Sequence, residues 1–220
     1  MATRRKYGQG CGTAHALDLV GDRWALLVVR ELLLGPKRFT DLRDGLPGVG
    51  PNVLSQRLKE LEDAGVLQRR VLPPPAGSTV YELTEWGSEL EDVVVRLGRW
   101  GARSPGMTDE AETQPEWVVL GMRAIYEPRK PPVPSLYEFR FGGDDVFWAR
   151  VDDESLEVGR GHAADADAIL TADVETVAKL MRGQLKPSAA LRSGAVQLDG
   201  ERSAYDRFPE LFTFPPSPRA

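Results

Sequence analysis

Gly50-Pro51-Asn52-Val53-Leu54-Ser55-Gln56-Arg57-Leu58-Lys59-Glu60-Leu61-Glu62 is the stretch on which the fold turns. Proline suits a first helical turn, and the glycine before it is an acceptable cap. From Asn52 the leucines at 54, 58 and 61 fall on one helical face, and Gly65 closes the segment. The opposite face carries Asn52, Gln56 and Lys59, with Ser55 and Arg57 on its flanks. Asn and Gln pair bidentately with adenine, while Arg and Lys reach guanine or phosphate, so this face has the chemistry of a helix in a major groove. The first turn of such a helix enters deepest. Asn52, Ser55 and Gln56 are therefore the expected base readers, and Arg57 and Lys59 the expected phosphate clamps. The bland alternative is a solvated amphipathic helix of any α/β protein.

Working outward, the segments around this helix decide between the two. Residues 13–34 read as two helices: Ala16, Leu17, Leu19 and Val20 make an apolar face, Gly21-Asp22 interrupts it, and Trp24 to Leu34 resumes it up to Gly35-Pro36. Phe39, Leu42 and Leu46 follow at helical spacing, with Thr40 as the expected cap. Beyond Gly65 the period changes. Val66 to Val71 and Thr79 to Leu83 read as a hairpin around the turn Leu72 to Ser78, and Arg69 and Arg70 stand where a wing would meet a DNA backbone. Thr84 then caps a long helix, Glu85 to Arg103, whose Trp86, Leu90, Val93, Val94, Leu97 and Trp100 recur at alternating four- and three-residue steps, as in a helix–helix seam. The order is that of a winged helix-turn-helix, so the expected fold of residues 1–104 is mainly α, DNA-binding and dimeric.

Ser104 to Gln114 reads as a linker, with the boundary segment at 105–115, and residues 116–220 as a second, α+β domain. The pattern there gives a helix from Glu116 to Tyr126 and a proline-rich joint from Pro128 to Pro134. Strands follow at Tyr137–Phe141, Val146–Val151, Leu156–Gly159, Ala168–Ala172 and Ala195–Leu198. Asp173 caps a helix through Met181, and a last helix runs from about Glu201 to Phe212.

Charge divides in the same place. The chain of 220 residues has a formal net charge of −5, but residues 1–104 hold 15 Lys+Arg against 13 Asp+Glu, and residues 105–220 hold 13 against 20. A first part that tolerates phosphate and a second that does not point to different partners. No apolar run approaches the ~20 residues of a bilayer span, and Met1 to Lys6 is not followed by the apolar stretch of a signal peptide. One cysteine excludes an internal disulfide, and with two histidines it is too few for a zinc site. The expected place is the cytoplasm, with no cofactor. No nucleophile elbow, P-loop, dinucleotide fingerprint or metal cluster appears, so an enzyme is not expected.

The stretch Cys11-Gly12-Thr13-Ala14-His15-Ala16-Leu17-Asp18-Leu19-Val20-Gly21-Asp22-Arg23-Trp24 resembles the opening of the HxlR family of bacterial regulators, relatives of MarR. The likeness continues through Arg30-Glu31-Leu32, Gly35, Arg38-Phe39, Asp41-Leu42, Leu54 to Glu62, Gly65, Tyr81-Glu82-Leu83-Thr84 and Gly87, covering about residues 10–103. It implies a winged-helix homodimer on a palindromic operator, with the terminal helices at the dimer interface. Two departures stand out. Gly50 replaces a residue that usually bears a hydroxyl, and the wing tip lacks any basic side chain. In some members the cysteine near the N-terminus senses oxidants or electrophiles, which makes Cys11 a redox candidate; Arg4, Arg5 and Lys6 lie close in sequence and offer positive charge. The alternative for Cys11 is a small buried hydrophobe near the dimer seam.

Residues 116–214 resemble sterol-carrier-protein-type domains, best over Ala168 to Val177, Gly194 to Gly200 and Phe208-Pro209-Glu210-Leu211-Phe212. That resemblance implies a small α+β fold with a tunnel for an apolar small molecule. Phe139, Phe141, Phe147, Trp148, Leu180, Met181, Phe208 and Phe212 are the candidates to line it; the alternative is that they form the core. Two functions remain open on these residues: a DNA-binding repressor controlled by an apolar ligand, or a lipid carrier or interaction module with little DNA binding.

Overall fold

The computed structural model describes residues 6–75, 77–107, 113–128, 133–152 and 154–214. The middle of the expected linker, the inner part of the proline-rich joint, and Arg4 and Arg5 lie outside these. The chain divides into two compact units between Val94 and Val95, ten residues before the boundary expected from composition.

The first unit runs α1 (Gly12–Val20), α2 (Ala25–Leu32), α3 (Phe39–Asp44), α4 (Pro51–Asp63), β1 (Leu67–Val71), β2 (Thr79–Leu83), α5 (Glu85–Ser88) and the start of α6 (Leu90–Gly101). The leucine stripe of α4 does what its spacing predicts: Leu54, Leu58 and Leu61 are fully buried against Val28, Val29, Leu42 and Leu67. Helix α3 starts two residues earlier than Thr40 as a cap would place it. Arg38 is the cap residue, its N–H held by the Asp41 carboxylate at 3.0 Å, while the Thr40 side chain turns to Asp41 instead. β1 and β2 pair antiparallel with Arg69 opposite Tyr81 and Arg70 opposite Val80, and Lys37 adds a short bridge to Tyr81, so the wing is tied back to the segment before α3. Beneath that bridge the buried Glu31 carboxylate accepts from Lys37 Nζ at 2.7 Å and Arg30 Nη2 at 2.8 Å.

The long helix expected after Thr84 is two helices, broken at Glu89. Thr84 Oγ1 accepts from the Gly87 N–H at 2.9 Å and donates to the Gly65 carbonyl at 2.7 Å. Gly87 lies so close to the Val66 carbonyl that a Cβ there would stand 1.8 Å from its oxygen. Docking of this first turn on the α4–β1 corner fixes the direction in which the chain leaves. None of the residues of α6 is buried: Val93, Leu97 and Trp100 are exposed, Trp100 at 72%.

The second unit contains α7 (Pro115–Ile125), β3 (Ser135–Arg140), β4 (Val146–Val151), β5 (Leu156–Arg160), β6 (Ala168–Ala172), α8 (Val174–Met181), α9 (Pro187–Ser193), β7 (Val196–Gly200), α10 (Arg202–Arg207) and a 3-10 turn, Phe208–Leu211. The strands form one mixed sheet in the order β5-β4-β3-β6-β7, in which β3 and β6 are parallel and the other pairs antiparallel. Asp173 caps α8 as expected, its carboxylate accepting from the Thr176 N–H at 2.6 Å. Alternation along β3 and β4 buries Tyr137, Phe139, Phe147, Ala149 and Val151 on one face, the face covered by helices. On the other face, Glu138 is 1% exposed yet charged-paired: it accepts from Arg140 Nε at 2.7 Å and from the Ala163 N–H at 2.8 Å, and so pins the crossover between β5 and β6 onto the sheet. The last helix ends at Arg207 rather than Phe212, since Pro209 has no N–H to continue it. Helix α9 was not expected; its single buried residue, Ala190, leaves no apolar stripe to read.

Candidate nucleic-acid interface

Helix α4 brings the polar residues singled out from sequence onto one open surface. Asn52, Ser55, Gln56 and Lys59 are exposed, opposite the buried leucines, and Gln56 donates to Glu60 at 2.7 Å. Val53 stands exposed with them at 44%, an apolar group that sequence reading passed over; its signal was its place outside the leucine stripe. Arg57 differs. Expected as a phosphate clamp, it is only 12% exposed and turns back toward its own chain, pairing with Asp22 at 2.6 Å and with Glu60.

On the wing, Arg69 Nε donates to Glu62 at 2.9 Å and Arg70 Nε to Glu82 at 2.8 Å, while Gln68 also reaches Glu82. Both guanidinium groups are about half exposed, so a phosphate can share them without unburying either. The Glu62 hydrogen bond and charge raise the Arg69 pKa, and Arg70 and Gln68 hold the Glu82 carboxyl below its usual range against a smaller opposing effect of burial. These pairs hold the wing's cations against α4 and β2, at the edge of the surface that α4 presents.

Cys11 stands at the N-cap position of α1 and is exposed in the single chain. The Ala14 and Thr13 N–H groups and the Thr13 hydroxyl lower its thiol pKa. Behind it, the far side of α1 lines an apolar groove of about 260 Å³, closed by Val66 and by Trp86, Leu90 and Val93.

In the second unit the candidate cavity residues fall into two sets. Phe208 sits at the centre of the first, its ring 5.3 Å from Tyr137, 5.4 Å from Phe139 and 5.1 Å from Phe212. Phe141 stacks on Phe139 and meets Phe147, and Leu180 and Met181 are buried on α8. Trp148 is not among them. Being next to Phe147 on a strand it faces the opposite side of the sheet, where it lies over Gly159. A cavity of about 10 Å³, room for one water, opens beside Tyr126, Ser135, Tyr137 and Leu211.

Each of the two regions matches a known family. Residues 19–108 match the family model for the HxlR-like helix-turn-helix, and residues 135–213 that of the SCP-2 sterol transfer family. Over 95 residues the chain is 37% identical to the HTH-type transcriptional regulator YodB of Bacillus subtilis, spanning 42% of this chain and 85% of that one. It is 36% identical over 95 residues to the HTH-type transcriptional regulator sll1512 of Synechocystis, spanning 43% of this chain and 70% of that one. The solved structure of reduced YodB from B. subtilis shares 33% identity, covers 44% of this chain and 97% of its own, and superposes with a TM-score of 0.40. The chain belongs to the HxlR-like helix-turn-helix family, and beyond that domain its residues 135–213 are similar to the SCP-2 sterol transfer family.

Proposed function

We propose that this protein is a transcription regulator that binds a palindromic duplex as a homodimer and represses. The observation that carries the proposal is α4: a helix with one face locked into the core and the other left open with amide, hydroxyl and ammonium groups. Asn52, Ser55 and Gln56 read base edges from the first turns, and Val53 offers an apolar contact to a thymine methyl group. Lys59, Arg69 and Arg70 neutralise phosphates. A dimer seated on a promoter excludes other proteins from the same duplex, which is the simplest route to repression.

The dimer rests on the exposed apolar residues of α6 and on the groove between α1 and α6. Val93, Leu97 and Trp100 stand exposed along α6, and a second copy presents the matching set under two-fold symmetry. A salt titration of duplex binding tests the DNA-reading half. Affinity should fall steeply with salt, and Lys59→Ala should flatten the log–log slope by about one. Binding that ignores salt, or a slope unchanged by Lys59→Ala, would contradict it.

Control enters at two places. Cys11 is exposed with its thiol pKa lowered, so thiolate is available to an electrophile at α1, the helix that lines the groove. Labelling with N-ethylmaleimide should weaken operator binding in the wild type and leave Cys11→Ser unaffected; a fully labelled wild type that binds as before would sink this role. The second place is the SCP-2-type unit, where an apolar ligand inserted among the aromatic rings would raise the melting temperature and loosen operator binding.

A further inference from the structure

We propose that Arg57 is a positioning residue: through Asp22 it locks the recognition helix α4 to the turn between α1 and α2, and it does not contact the phosphate backbone. This rests on the reading of α4 as the DNA-binding helix. Three features of the molecule support it.

The first is the environment of the guanidinium. Nη1 lies 2.6 Å from Asp22 Oδ2 and also pairs with Glu60, and Nε is buried with no hydrogen-bond partner. A cation flanked by two carboxylates carries a net negative local charge, which repels a phosphate instead of attracting it. Extending Arg57 toward a duplex would break both pairs and leave Asp22 and Glu60 facing a polyanion. Lys59, two residues on, is open to solvent and has the position a clamp needs.

The second is the turn that Arg57 grips. Trp24 adopts φ +79°, a left-handed conformation unfavourable for a bulky residue that persists only where its surroundings hold it. At Gly21 a Cβ would stand 2.4 Å from the Leu17 carbonyl oxygen, so the chain reverses with no room to spare. The Asp22 carbonyl accepts the Ala25 N–H at 3.0 Å, starting α2, while its carboxylate reaches across to α4. One residue thus fixes both the helix entry and the distance to the reading head.

The third is what the turn connects. Helix α1 ends there, and its Ala16, Leu19 and Val20 line the groove assigned to the second copy. The leucine stripe of α4 fixes its depth in the core, whereas a pair on its flank fixes its roll about its own axis. Roll decides which side chains meet a groove floor.

The test uses the full-length chain with Arg57→Gln, Asp22→Asn, the double variant and Lys59→Ala, titrated at several salt concentrations against a duplex that the wild type selects from random sequences. Each single change at the pair should weaken binding about fivefold, with the double variant no weaker than Arg57→Gln alone. Their salt slopes should equal the wild-type slope, while Lys59→Ala is flatter by about one. A slope flattened by Arg57→Gln as by Lys59→Ala, or an Asp22→Asn protein that binds as well as the wild type or better, would identify a clamp and overturn the proposal. Hydrogen exchange without DNA provides an independent readout: the amides from Asp22 to Ala25 should exchange about tenfold faster in Arg57→Gln and unchanged in Lys59→Ala. Unaltered exchange in Arg57→Gln would overturn the positioning role. If even the wild type bound no duplex, the reading of α4 would fall, and exchange would still decide what Arg57 does.

Discussion

A Leu97→Glu exchange should convert the proposed dimer to monomers and lower operator affinity by about 10²–10⁴-fold, the largest effect expected of any single change here. The magnitude comes from linkage. Two reading helices held on one body bind the second half-site at a high effective concentration, and a monomer forfeits that advantage entirely. Leu97 is exposed on α6, in line with Val93 and Trp100, so a carboxylate there leaves the fold of one subunit intact while placing like charges against each other across a two-fold axis. Sedimentation would report the mass, fluorescence anisotropy the affinity, and the unfolding of the monomer would serve as the control. A Leu97→Glu protein that stays dimeric and binds unchanged would remove α6 from the interface.

The second large effect concerns the other unit. Phe208→Ala should destabilise it by about 3–5 kcal/mol, because the ring is fully buried and touches three others. Denaturant unfolding followed through the aromatic signal would measure it. The result bears on the apolar ligand. If the rings already fill the space between sheet and helices, truncation opens a hole at full cost. A loss below about 1 kcal/mol would mean that the site is already hollow or collapses easily, as a ligand tunnel would.

How much of this was legible in the chain can be followed residue by residue. Leu54, Leu58 and Leu61 carried the inward face of α4 because a 3.6-residue period leaves little choice for leucines so spaced. Asp173 and Thr84 announced their helices through capping chemistry that is local to a few residues. Arg57 was misplaced for the opposite reason. A helical wheel gives the angle of a side chain but not what a turn 35 residues away offers it, and Asp22 was such an offer. Trp148 is a different failure, since alternation along β4 was enough to separate it from Phe147; grouping by aromatic character overrode the period. Helix α9 had its signals in Pro187 and in Gly194, which stops it at φ +74°, but a helix that buries only Ala190 shows no stripe. The break at Glu89 was hidden because the seam residues on either side keep their spacing through it.

Selection of bound sequences from random duplexes by the full-length protein tests the central claim most directly. The account predicts enrichment of an inverted repeat with half-sites about 10 base pairs, or a multiple of that, apart, and loss of the consensus within each half on replacing Asn52 and Gln56 by alanine. A pool that remains random through successive rounds, or a consensus unaffected by those two changes, would contradict it.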